Sequence, residues 1–463
     1  VTLLDALKAL GLLLTVALLF GLLRVYQVRA KPAPELVRKL FHISGGAVGL
    51  VLPWLFDSIV PVLVLAALVA SAFLAMRFVH SLRHSVGQVL FGVERQTIGE
   101  LCFLVSMCLL FWFARGDKLL YSVPLLMLAL ADTSAALIGE QYGKRPLHMT
   151  GDRKSLEGVV AFFLTAFFCV HVPVLLWGDT GRVESLLIGV NSSIMVMMAE
   201  AAAWWGMDNL IIPIWGYMVL KSQLGMGAPE LGSDLAFLLS LALVMRLWRD
   251  RTTLGDDALF GATLWGYVVW AVGGWRWIAA PLIQLLAYAT ITYRAPADQL
   301  RGFRFPVVLA QIAGSVVWLL IYRESGAQAL FYPFVACFGA NVAIIALVRH
   351  KFAMPDLPWR RALSANIAKG MLVVVPSVLV MDGITVAAAL DIAACLIAVA
   401  AATAIFYRMQ PGLADFPVDA RRWILQSVTV AATSTLALGI HYGAPPSISL
   451  TGVIDLFRTM VRP

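Results

Sequence analysis

Residues 131–158 read ADTSAALIGEQYGKRPLHMTGDRKSLEG, and this stretch fixes both the environment of the chain and its chemistry. It begins inside an apolar run, 119–140, long enough to cross a bilayer, yet Asp132 sits in that run. A carboxylate in hydrocarbon costs about 2.5 kcal/mol or more, so it is kept for function or for a specific polar contact. Glu140 follows, then a short loop with Lys144, Arg145, Asp152, Arg153 and Lys154, closing on Ser155, Glu157 and Gly158 before the next apolar span. A buried acid followed by clustered bases at one membrane face is what a metal–nucleotide site needs. The acid would hold a divalent cation and the bases would take phosphate charge. A basic loop alone also serves as a topology signal.

Working outward, composition sets the solvent. The chain has 463 residues, 60% hydrophobic and 13% charged, with mean hydropathy +0.85. Soluble globular proteins are about 45–50% apolar and about 25% charged, so this is a polytopic membrane protein. The apolar runs are too long and unbroken for transmembrane β-strands. A net charge of +8 fits basic loops and anionic lipid headgroups, and nucleic acid is discounted. Cys102, Cys108, Cys169, Cys337 and Cys395 all fall in apolar runs without metal-ligand spacing and read as small buried hydrophobes. Leu3 to Leu23 is too long for a signal-peptide core and is expected to be the first span.

About sixteen apolar runs of spanning length follow one another from 3–23 to 423–442, several of them short. The expected fold is therefore all-α, an integral membrane protein with about 14–16 transmembrane helices in two helical halves. The runs 258–275 and 277–293 count here as two. Alternate loops are rich in bases: Arg24 to Lys39, Arg77 and Arg83, Lys144 to Lys154, Arg246 to Arg251, Arg349 to Arg361 and Arg408 to Arg422. The opposite set is nearly bare, which places the basic set, and residues 144–158 with it, in the cytoplasm. The expected seams are Gly225–Gly232 and Arg246–Asp257, giving a catalytic domain at 1–232 and a second, non-catalytic helical domain at 233–463.

The motif D-T-x-A-A-x-x-G from Asp132 to Gly139, then Tyr142-Gly143-Lys144, then Lys154-Ser155-Leu156-Glu157-Gly158, resembles the polyprenol kinase family. That family includes dolichol and phytol kinases, which are CTP-dependent integral membrane enzymes. Phosphatidate cytidylyltransferases carry a related pattern, with K-T-x-E-G in place of K-S-L-E-G. Val159 departs from the kinases, which often have a small hydroxyl residue or Ala there.

Three further clusters reach the same face. Arg38-Lys39-Leu40-Phe41-His42 enters the second span ahead of Gly45 and Gly46. On spacing alone it is equally a basic flank with a core histidine. R-K-x-x-H before a Gly-containing span is also seen in the resembled family, which implies that Arg38 and Lys39 meet nucleotide phosphates. It also implies that His42 bonds the nucleotide or orients a carboxylate. Glu200 lies near the end of the seventh span, and Asp208-Asn209 opens the eighth, where Asp also suits a helix cap. The resemblance implies that Asp132, Glu200 and Asp208 hold magnesium, an oxygen-seeking ion. Lys144, Arg145, Arg153, Lys154, Ser155, Glu157 and Gly158 would bind the nucleotide. Ala131, Ala135 and Gly139 recur every four residues and read as a close helix contact. Glu140 lies about 12 Å along the helix from Asp132, too far to share an ion, and is expected at the level of the phosphates or loop.

Residues 255–350 faintly resemble a membrane family that includes phytyl-phosphate kinases, but Asn341 stands where the acid is wanted. The second half is expected to wall the lipid groove, form a homodimer surface, receive product or act as a stabilising body. The reading is a CTP-dependent kinase of a long-chain isoprenoid alcohol of the phytol, farnesol or dolichol type, with catalytic roles for Asp132, Lys154, Glu200 and Asp208. Two alternatives stand beside it. A cytidylyltransferase would make a CDP-lipid from phosphatidate or a related lipid phosphate, and a transporter would need coupling acids in both halves.

Overall fold

The structure, a computed structural model, describes residues 2–85, 87–92, 98–147, 154–291, 303–409 and 420–442. Asp152 and Arg153 lie outside the described residues. The protein is an all-α polytopic membrane protein. Among the described residues there is no strand, only isolated bridges at Pro146–Ser155 and Leu254–Phe303. Thirteen described helices are long and apolar enough to cross a membrane. Gly99–Ala114 and Asp208–Gln223 are shorter, with 16 residues each. The runs read as two separate spans at 258–275 and 277–293 are two helices that meet at a kink at Gly274, within Asp256–Ile291. Gly274 has φ 75° and ψ −172°, a backbone state open to glycine and strained for other residues.

The chain divides into two compact units, Val1–Leu243 and Val244–Pro463. In the first, α1 (Leu3–Ala30) leads into α2 (Pro34–Leu50), whose proline sits in the first helical turn, where its missing N–H is not needed. After a turn at 52–58 the chain returns as α3 (Ile59–Phe78), started by the Ser58 hydroxyl accepting from the Val60 N–H. Next come α4 (Gly99–Ala114) and a continuous span from Lys118 to Tyr142. That span is α5 (Lys118–Leu126), a π-helical turn at Met127–Ala131 and α6 (Asp132–Tyr142). Pro124 inside α5 lacks the N–H for an ordinary helical bond, and the helix widens just beyond it. The unit continues with α7 (Leu156–Trp177), α8 (Arg182–Ala202), α9 (Asp208–Gln223) and the part of α10 (Ala228–Trp248) that precedes Val244.

Two close approaches set the angles around Asp132. A Cβ on Gly46 would stand 2.6 Å from the Ala129 Cβ, so α2 lies directly on the π turn. Tyr121 adds a hydrogen bond from its hydroxyl to the Gly49 carbonyl at 2.9 Å. On the other side, a Cβ on Gly158 would stand 2.8 Å from the Ala135 carbonyl and 3.3 Å from the Gly139 Cα. The small residues of α6 serve as the helix contact their spacing suggests, and Gly158 of α7 is its other half.

The second unit comprises α11 (Asp256–Ile291), α12 (Phe305–Ser325), α13 (Phe331–Ala353), α14 (Trp359–Asp382), α15 (Val386–Met409) and α16 (Ala420–His441). Every residue of α13 from Phe331 to His350 is buried. Its polar residue Asn341 donates to the Gln311 carbonyl and accepts from Gln426, each at 2.8 Å. A cavity of about 100 Å³ in this unit is lined by Gln284, Gln311, Arg349 and Arg422 among apolar side chains.

Candidate active site

Asp132 follows the π turn directly and is 5% exposed. A carboxylate so buried needs a partner, and Lys39 supplies one at 2.6 Å. Lys39 is itself 5% exposed, so the pair is a buried one joining α2 to α6. His42, one helical turn after Lys39, places Nε2 at 3.1 Å from the Leu128 carbonyl of the π turn and at 3.6 Å from the Asp132 carboxylate. The wide turn thus presents a backbone carbonyl to the histidine that flanks the acid. Arg38, the residue before Lys39, pairs with Glu35.

These residues stand at one end of a cavity of about 700 Å³ in the first unit. Its polar lining is Glu35, Arg38, Lys39, His42, Glu100, Asp132, Glu140, Asp208 and Asn209. The rest of the wall is apolar, mainly from α1, α2, α3 and α4, with Leu90 and Phe91 from the segment between α3 and α4. Asp208 reaches it from the start of α9, where its carboxylate also accepts from the Asn209 N–H at 2.9 Å. The Asn209 side chain donates to the Gly99 carbonyl at 2.8 Å and ties α9 to α4. Glu140, placed along the helix from Asp132, is exposed at the mouth.

The loop after α6 is organised by the K-S-L-E-G residues. Ser155 caps α7, its hydroxyl accepting from the Gly158 N–H at 3.2 Å. The Glu157 carboxylate accepts from the backbone N–H groups of Lys144 and Arg145, at 3.1 and 3.3 Å. Gly158 makes the helix contact with Ala135 and Gly139. The Lys144 and Arg145 side chains are thereby held at the surface. Lys154 turns inward and donates to the Glu200 carboxylate at 2.7 Å.

Sequence reasoning places Asp132, Lys39, His42, Arg38 and Asp208 in one group, and the structure brings them to one cavity. Glu200 does not line that cavity and takes Lys154 as its partner. Among the described residues no trio of Asp, Glu, His or Cys side chains stands close enough to hold a metal ion. Asp132 and Asp208 nevertheless offer carboxylate oxygens to the same space, a donor set that suits magnesium, which binds through one or two carboxylates and completes its shell with water and phosphate. Sequence reasoning falls short at two residues. Glu100, at the start of α4, lines the cavity and pairs with Arg77 at 3.1 Å; its only signal is an acid in the first turn of a span. Lys39, expected at the phosphates, has Asp132 as its partner in the structure.

A phytol kinase from Synechocystis sp. is 31% identical to this chain over 184 residues, which cover 76% of that protein and 39% of this chain. No protein-family model matches the sequence, and no solved structure matches it.

Proposed function

This chain belongs to the polyprenol and phytol kinase family, and we propose that it transfers the γ-phosphoryl group of CTP to the hydroxyl of an isoprenoid alcohol. One observation carries the reading: a buried Asp132–Lys39 pair stands at the polar end of a large, otherwise apolar cavity. An alcohol with an apolar tail fits such a space with its hydroxyl at the charged end.

In the transfer, the alcohol oxygen forms a bond to the γ-phosphorus, the bond from that phosphorus to the bridging oxygen of CTP breaks, and CDP leaves. The hydroxyl proton passes to a carboxylate of the polar end, for which Asp208 is our assignment. Asp132 would hold magnesium, its shell completed by water and phosphate, and the ion supplies positive charge to the phosphate oxygens when bound. Lys39, freed from its ion pair as the nucleotide enters, and Arg38 would meet the phosphates. Glu200 positions Lys154, and Glu157 positions Lys144 and Arg145, so that three bases face the nucleotide from the loop. The site faces the cytoplasm in this reading, because the basic loops do.

The test is purified protein offered CTP, ATP, GTP and UTP with phytol, farnesol and a dolichol, reading the nucleoside diphosphate and lipid monophosphate formed. CDP and prenyl monophosphate are expected. Pyrophosphate released from CTP with phosphatidate, and no CDP with any alcohol, would instead establish a cytidylyltransferase. External labelling of a cysteine at position 154 in intact cells is expected to fail, and efficient labelling would overturn the orientation.

A further inference from the structure

We propose that the cavity of the second unit is a binding site for a phosphate group, held by Arg349 and Arg422. The proposal stands apart from the alcohol-kinase reading, since every residue it uses lies beyond Leu243 and outside the cavity around Asp132. Both arginines line the second cavity, and they are 4% and 2% exposed. Arg349 lies near the end of α13 and Arg422 in the first turn of α16, so two helices bring guanidinium groups to one space. Among the described residues that line it there is no Asp or Glu. Ionisable side chains inside a membrane bundle mark ligand pathways and sites, and the planar fork of N–H donors on arginine matches phosphate oxygens.

The neighbouring rings orient the two arginines. The Arg349 guanidinium lies over the Tyr288 ring, 4.7 Å from its centre, and Nη2 donates to the Tyr288 hydroxyl at 2.5 Å. That hydroxyl is in turn hydrogen-bonded to Thr253. Arg422 lies over the Trp423 ring at 4.6 Å, and the ring packs edge-on against Phe303. Stacking uses the flat face of a guanidinium, whereas its hydrogen bonds form at the edge.

An independent observation points to a ligand. Trp265 and Trp423 line the same cavity and are 9% and 6% exposed, and their indole N–H groups have no hydrogen-bond partner among the described residues. A buried donor left without its bond costs about 1–3 kcal/mol, and an indole N–H can only donate. A ligand that answers these two groups is rich in acceptors, and one that answers two guanidiniums is negative. Phosphate is both. One water needs about 10–15 Å³ of such space. About 100 Å³ is present, which admits the five heavy atoms of a phosphate.

Inward from the arginines the walls turn apolar. Along α13 the lining passes to Ile345 and Phe338, about 6 and 16 Å from Arg349, and along α11 it passes from Tyr288 to Leu285 and Pro281. Basic pockets between membrane helices take lipid headgroups, and apolar walls suit a phosphate monoester on a hydrocarbon group. The phosphate contacts are the same for the free ion.

The test uses the full-length protein in detergent, carrying fluorotryptophan in place of tryptophan. The fluorine NMR signals of Trp265 and Trp423 are assigned through Trp265→Phe and Trp423→Phe. Inorganic phosphate, phytyl monophosphate and dioleoylphosphatidate are titrated separately, with phytol as the neutral control. Both signals are expected to shift and saturate with at least one of the three phosphates and to stay in place with phytol. Saturation by inorganic phosphate supports the site with the free ion as ligand, and saturation by a lipid phosphate alone supports it with the attached chain required. No shift with any of the three at millimolar concentration, or an equal shift with phytol, overturns the site. Arg422→Gln is then titrated with the phosphate that binds, and its Kd is expected to rise about tenfold or more, with Arg422→Lys in between. An unchanged Kd in folded Arg422→Gln overturns the assignment to the arginines. If Arg422→Gln does not fold, Arg422→Lys and the wild-type titration decide. The ligand is added directly, so a protein that phosphorylates no alcohol would sink the kinase reading and leave this site to be judged on its own titration.

Discussion

Asp132 in the first unit and Asn341 in the second are both polar side chains buried inside bilayer-length helices, and the two are satisfied in opposite ways. In the second, Asn341 is fully buried and held from both sides by Gln311 and Gln426. Both of its polar ends are engaged by the protein itself, which is how a neutral amide is accommodated in a packed interior. In the first, Asp132 keeps a net charge whose principal partner is one flexible lysine, and the pair lines a cavity of about 700 Å³. A lysine can be exchanged for another cation, whereas a network of amides holds its members in place. The difference separates a polar group that helps to build a protein from one set aside for a ligand.

The largest test of that contrast is charge removal. Asp132→Asn should leave the protein folded, yet lower alcohol phosphorylation by at least about 10²-fold, since the amide retains shape without holding the cation. Ordinary turnover in this variant would sink the site. Next comes the partner. Lys39→Ala strands a buried carboxylate and should destabilise the first unit by about 3–5 kcal/mol, read as a lower melting temperature in detergent, with activity lost as well. Asn341→Leu should cost about 1–3 kcal/mol through the orphaned Gln426 and leave kcat/KM for phytol as it was. A drop in turnover matching that of Asp132→Asn would erase the distinction between the two units. The smallest effect belongs to the loop. Glu157→Gln weakens two hydrogen bonds to the backbone, and the KM for CTP should rise by about threefold with kcat unchanged.

The spans are legible in the sequence because apolar runs of bilayer length rarely occur outside a membrane, and Asp132 is legible because it violates such a run. Lys39 shows where that legibility ends. Its ion pair with Asp132 joins positions 93 apart, and nothing in the spacing of either residue signals the other. The K-S-L-E-G residues show a second limit. A short motif looks uniform on paper, yet Ser155 caps a helix, Glu157 ties down two backbone N–H groups, Gly158 admits a neighbouring helix and only Lys154 turns its charge inward. The cavity is not legible at all, since its walls come from several helices distant in sequence, whose apolar residues look alike from their order. In the second unit the pairing of Asp391 with His441, at 2.6 Å, is hidden for the same reason as that of Lys39.

The π turn at Met127–Ala131 acts as a phase shift. A π turn holds one residue more than the α turn it replaces, so everything after it is rotated by about 100° relative to an unbroken helix. A further residue added to this segment, with no second wide turn to absorb it, would swing the Asp132 carboxylate away from Lys39 and His42, and Gly139 away from Gly158. Removing a single residue from 127–131 would instead leave an ordinary α turn with Asp132 in its place, and would take away the wide turn that presents the Leu128 carbonyl to His42. Insertions and deletions in this segment therefore belong to different classes of damage. The first puts half a helix out of step with its neighbours, and the second costs one backbone contact.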